Sequence, residues 1–148
     1  MGIILSLAAG AAYTVVIAKV GSNVAHSTAA DPGCISAERA SRQMNTALNA
    51  DGAKLSQDSN NPTAAKTDMQ TFLTDMQSLN DQLSSAHAQA QHDSVKTQIA
   101  ALSGDISTFN SDLQAIAGGD TSRASQIQTD ASKLQSDANA LDKTCTTL

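Results

Sequence analysis

Downstream of Ala30, apolar side chains recur in steps that alternate between four and three. One run is Ala65, Met69, Phe72, Met76, Leu79, Leu83, Ala86 and Ala90. A second is Val95, Ile99, Leu102, Ile106, Phe109, Leu113 and Ile116, and a third is Ala124, Ile127, Ala131, Leu134, Ala138, Leu141 and Cys145. A mean step of about 3.5 residues keeps a stripe on one side of a helix and lets neighbouring helices interlock knobs into holes. Ala37, Met44, Leu48 and Leu55 form a weaker stripe, interrupted by Asp51 and Gly52.

Punctuation residues fall between the stripes. Asn61-Pro62 reads as an N-cap followed by proline at the first helical position. Gly118-Gly119 stops a helix, and Asp120-Thr121 restarts one. Between Ala90 and Val95 the phase jumps by five around His92-Asp93-Ser94, which reads as a turn capped by Asp93; one continuous long helix is the alternative. The expected fold is all-α: an antiparallel up-down four-helix bundle with coiled-coil-like heptads, preceded by an N-terminal hydrophobic helix. The bundle occupies 31–148, with helices near 35–58, 62–90, 93–117 and 120–145, each roughly 35–43 Å long.

The first 30 residues have a different character. Met1 to Ala18 carries no charge, and with Lys19 tolerated the apolar stretch reaches about residue 25. That length suits a membrane anchor, since a span needs about 20 apolar residues and a signal h-region only about 7–15. Ser27-Thr28-Ala29-Ala30 before Asp31-Pro32 nevertheless resembles a signal-peptidase site, although the basic leader expected of a signal peptide is missing. Gly2, Ser6, Gly10, Thr14 and Ala18 form a ridge of small side chains, which lets helices approach closely in lipid or in a homo-oligomer. A type IV pilin carries Glu near the start of such a helix, whereas positions 3–7 here are Ile-Ile-Leu-Ser-Leu.

Cys34 and Cys145 are the only cysteines. Their separation matches neither a CxxC redox motif nor a metal-ligand spacing, and Asp31-Pro32-Gly33 lacks the apolar residue of a lipobox. In an exported chain the natural reading is one disulfide joining the domain's two ends. An up-down bundle brings the start of its first helix and the end of its fourth to the same end, so helix count and cysteine placement support each other.

An internal repeat underlies the stripes. DMQTFLTDMQSL (68–79), DISTFNSDLQAI (105–116) and DASKLQSDANAL (130–141) align without gaps, and MNTALNADGAKL (44–55) is a degraded fourth copy that keeps Leu48, Asp51 and Leu55. Each full copy places two Asp residues immediately before core positions: Asp68 and Asp75, Asp105 and Asp112, Asp130 and Asp137. Such rows could gather a divalent cation or a basic partner. They are expected instead to form a solvated flank, because no DxDxDG loop accompanies them.

Composition narrows the function. Only 18 Leu, Ile, Val or Phe residues follow Ala30 in 118 positions, so the core must be thin and alanine-rich. A net charge of −5, a pI near 4.8 and no Trp argue against nucleic acid as a partner. His26, His87 and His92 are scattered, Glu38 is the only glutamate, and neither HExxH, ExxH, CxxCH nor a phosphate loop occurs. No cofactor, metal or catalytic residue is expected, and histidines near helix ends should face solvent. Ser, Thr, Gln and Asn supply 52 residues, giving outer faces with few ion pairs.

The sequence therefore points to a non-enzymatic extracytoplasmic bundle with a structural or partner-binding role. It would be membrane-anchored through residues 1–25, or secreted. A small-ligand carrier or sensor bundle is one alternative. A filament subunit assembling through the N-terminal helix is the other.

Overall fold

In a computed structural model that describes residues 31–148, each heptad-patterned stretch is helical. Helix α1 spans Pro32–Gln57 (26 residues), α2 Pro62–Gln89 (28), α3 Asp93–Ala117 (25) and α4 Ala124–Thr146 (23). Short 3-10 turns at Asp58–Asn60 and Thr121–Arg123 precede α2 and α4. The chain is a helical bundle, with no strand among the described residues. The N-terminal hydrophobic segment, with its ridge of Gly2, Ser6, Gly10, Thr14 and Ala18, lies outside the described residues.

Capping chemistry sets the boundaries. The Asp31 carboxylate accepts from the Gly33 N–H at 2.7 Å and Pro32 follows, so α1 starts three residues before the expected position 35. Asn61 caps α2 through the Ala64 N–H at 3.3 Å. After α3, Gly119 takes φ 101°, a conformation that favours glycine. Asp120 then accepts from the Ser122 N–H at 3.0 Å, inside a 3-10 turn, and this delays α4 from the expected position 120 to Ala124.

Helices α2 and α3 are separate, because Ala90 turns extended with φ −62° and ψ 136°. Asp93 is not the cap there. His92 holds that position and its side chain makes no capping bond to α3, while Asp93 opens the helix. The break is fixed from outside by Asp31, whose Oδ2 accepts from the Gln91 and His92 N–H groups at 2.9 and 2.8 Å. Neighbouring sequence could not reveal a partner about 60 residues away.

The stripes converge on one core, in which Phe109, Met76, Leu83, Ile99, Val95, Leu48, Leu134 and Leu141 are essentially inaccessible. The closest helix approaches are α1 on α2, α3 on α4 and α2 on α3. The start of α1 lies against the end of α2: a Cβ added at Gly33 would stand 2.5 Å from the Ala90 Cβ. Helices α1 and α4 stay further apart along most of their length. At one end, however, Cys34 and Cys145 meet at disulfide distance, with sulfurs 1.98 Å and Cα atoms 5.8 Å apart.

The two ends of the bundle differ. Cys34, Ala37, Ala90, Val95 and Cys145 are buried at the cysteine end. At the opposite end, beside the two 3-10 turns, the stripes of α2, α3 and α4 run out in half-buried Ala65, Met69, Ile116 and Ala124, while Leu55 of α1 stays buried.

Candidate functional site: paired aspartates along the helix seams

The aspartates that precede core positions do not form the expected solvated flank. Asp51, Asp105, Asp112 and Asp130 are 5–7% exposed, and Asp68, Asp75 and Asp137 are half-buried. The reason is lateral: a residue just before a heptad core position flanks the seam with the neighbouring helix, and α1 packs along α2 and α3 along α4.

The rows meet one another. In the first hairpin the antiparallel register fixed by Gly33 against Ala90 and Ser36 on Gln89 brings Asp51 level with Asp75, and Asp58 with Asp68. In the second, Lys133 on Asp105 and Arg123 on Asp112 set the register, which places Asp137 beside Asp105 and Asp130 beside Asp112. Carboxyl groups thus stand seven residues apart, 68 and 75 on α2, 105 and 112 on α3, 130 and 137 on α4, and 51 on α1 with 58 at its C-cap. Two turns on one helix match two turns on its neighbour run in the opposite direction. The result is four cross-helix pairs at two levels, from the middle of the bundle toward the end remote from the cysteines.

Cations attend the second hairpin. Lys133 Nζ donates to Asp105 Oδ1, and Arg123 donates to Asp112 Oδ1 at 3.1 Å. The Gln126 amide donates to Asp130 Oδ1 at 3.0 Å. Lys54 is the cation beside the first hairpin's pairs. One carboxylate oxygen each on Asp51, Asp68, Asp105 and Asp130 is buried and has no donor.

These surroundings oppose ionisation. Burial, followed by the facing Asp75 and then Asp68, pushes the Asp51 carboxyl above the ordinary aspartate value, with Lys54 opposing. Burial and Asp58 raise Asp68 in the same way. Asp130 is raised by burial and by Asp112 and Asp105 despite the Gln126 amide, and Asp137 by burial and Asp105 despite Lys133. The Lys133 ammonium is raised in turn by Asp105. No group of three or more side chains converges as a metal site among the described residues.

A second polar centre sits at the cysteine end. The Asp31 side chain is inaccessible to solvent and collects the N–H groups of Gly33, Gln91 and His92, together with the His92 ring Nδ1 at 2.7 Å. Burial works against the charged form, but the bonds from His92, Gln91 and Gly33 prevail and lower its pKa to about 2. The His92 ring itself is half exposed, as expected of a histidine at a helix end. Nearby, the Ser36 hydroxyl donates to Gln89 Oε1 at 2.7 Å, a further tie between α1 and α2.

Of the residues singled out in the sequence, the structure brings Cys34 and Cys145 together, while the ridge beginning at Gly2 lies outside the described residues. The aspartate pairing was missed, although the seven-residue spacing repeated on α2, α3 and α4, and from α1 to its C-cap, was its signal. Asp31 left no signal, because its partners on the α2–α3 connection are distant in sequence. No helix of the described residues is long and apolar enough to cross a membrane. No known protein family, curated protein or solved structure matches the chain.

Proposed function

We propose that the chain is an exported, non-enzymatic protein whose residues 31–148 form an antiparallel up-and-down four-helix bundle, closed by a Cys34–Cys145 disulfide. Its role is structural or partner-binding at a cell envelope or outside it. Residues 1–25 serve as a membrane anchor where they are retained.

The observation that carries this reading is the cysteine pair. The chain's two cysteines, 111 residues apart, stand at disulfide distance at one end of the core. A disulfide that joins two distant helix ends persists in oxidising compartments and is rare in reducing ones. A structural role is supported by the filling of the core: Phe72, Met76, Phe109 and Leu134 occupy the space between the helices, where a carrier would keep a ligand. The broad, open depression lined by Gln70, Leu73, Thr74, Gln77, Ser78, Asp81 and Gln114 lies on the surface along α2, with Gln114 of α3 at its side.

Cell fractionation followed by intact mass under non-reducing conditions tests the reading. The expected product is extracytoplasmic and two hydrogens lighter than the reduced chain. It begins at Met1 if anchored, or near Asp31 if secreted. A cytoplasmic protein with two free thiols would overturn the proposal. A fibrous assembly that retains residues 1–30 would replace it with a filament subunit, and a stoichiometric small molecule in native mass spectrometry would replace it with a carrier.

A further inference from the structure

We propose that the half of the bundle remote from the cysteines is a proton-dependent clasp, in which Asp–Asp pairs between α1 and α2 and between α3 and α4 draw the helices together when each pair shares a proton and loosen them when both members are ionised. The cysteine end is held independently by the Cys34–Cys145 pair and the Asp31 bonds. Opening is thereby confined to the other end, where the stripes of α2, α3 and α4 already give way to half-buried Ala65, Met69, Ile116 and Ala124.

Geometry carries the inference. Asp51 is 95% buried, its Oδ2 has no donor, and it stands level with Asp75 across the α1–α2 seam. Asp130, 94% buried, keeps one oxygen without a donor opposite Asp112. Two carboxylates side by side and out of water repel. One proton between them turns the contact into a donor–acceptor bond that is stronger than a neutral one. Buried polar atoms without partners are uncommon in folded proteins, and a proton supplies the missing donor on the spot.

The charges facing the pairs fit this role. Lys133 donates to Asp105 and Arg123 to Asp112, so Asp137 and Asp130 are the pair members without a cation bonded to them. In the first hairpin Lys54 is the cation beside both pairs, with Asp51 and Asp68 facing Asp75 and Asp58. Asp51, Asp68, Asp130 and Asp137 are all raised above the ordinary value of 3.8. For such groups the folded state takes up protons before the unfolded state does. The bundle must therefore gain stability as pH falls from neutrality toward 3.8, and lose that gain as pH rises through the folded values. A proton is favoured over a divalent cation because the carboxyl groups meet two at a time and no larger ligand set converges among the described residues.

The test uses the oxidised protein in buffers from about pH 7 to about pH 4.5, just above the ordinary aspartate range. Thermal melts should shift upward by several degrees over that interval. Amide exchange, corrected for its intrinsic pH dependence, should slow in 58–70 and 112–126 and change little near Cys34 and Cys145. The double variant Asp51→Asn, Asp130→Asn places an amide donor where the shared proton would be. It should melt higher than the parent at about pH 7 and show a flattened pH profile. Asp81→Asn, on an exposed carboxylate outside the pairs, should leave the profile unchanged.

A melting temperature that is flat or falls on acidification would overturn the proposal, as would a double variant that melts lower at every pH. Saturable stabilisation by calcium or magnesium ions at neutral pH, abolished in the double variant, would also overturn it and make the pairs a cation site. Carbon-13 titration of the Asp side chains reads the same question without mutation. Four carboxyl groups titrating above 3.8 support the clasp, and none doing so removes it.

Discussion

Replacing Asp31 by asparagine removes one negative charge from the cysteine end while keeping the side chain's shape. The carboxylate accepts from the Gly33, Gln91 and His92 N–H groups at 2.7, 2.9 and 2.8 Å and lies 2.7 Å from the His92 ring nitrogen. An amide offers one oxygen, so its NH2 group must face donors that it cannot satisfy. The carboxyl titrates at about 2 in the folded chain against an ordinary 3.8. That difference of just under two units corresponds to about 2 kcal/mol of folding stability. Because the folded value is the lower one, this contribution is complete above 3.8 and disappears as pH falls through 2.

For a domain of this size, Asp31→Asn should lower the melting temperature by roughly 6–10 °C at neutral pH, followed by far-ultraviolet circular dichroism. The gap between variant and parent should narrow as the buffer is acidified below 3.8. Exchange of the Gln91 and His92 amides provides a local readout and should be faster in the variant. A shift below about 0.5 kcal/mol, or parent amides that exchange as fast as the variant's, would show that Asp31 does not fix the α2–α3 connection.

Glycines give two opposed predictions. Gly33→Ala puts a methyl group 2.5 Å from the Ala90 Cβ at the C-cap of α2 and 2.9 Å from the Ala86 carbonyl oxygen in its last turn. Denaturant titration should show a loss of about 1–3 kcal/mol. Gly104→Ala meets nothing within 4 Å in the middle of α3, so the same assay should show a gain of about 0.5–1 kcal/mol. Reducing the protein, or replacing Cys34 and Cys145 by serine, frees two ends 111 residues apart. On loop entropy alone this should lower stability by about 4–5 kcal/mol, and an unchanged midpoint would mean that the bond is absent from the isolated protein. Phe109→Ala empties a fully buried site and should remove about 3–5 kcal/mol, read by the same titration.

The sequence by itself determined where helices form and which side faces inward. Apolar periodicity and helix-breaking residues are local properties, and burial follows them closely: Phe72, Met76, Leu79 and Leu83 on α2, and Ile99, Leu102, Ile106 and Phe109 on α3. It also marked Cys34 and Cys145 as partners, because a two-cysteine chain with an even helix count leaves one sensible pairing. Tertiary structure decided what depends on how close neighbouring helices come. An aspartate beside a core position is solvated at wide spacing and buried at close spacing, and heptads alone do not set that distance. Close approach turned an apparent solubilising flank into paired, proton-hungry carboxyl groups. Likewise, only the fold could bring Asp31 to the backbone of Gln91 and His92, since that bond is made between the two ends of a helical hairpin.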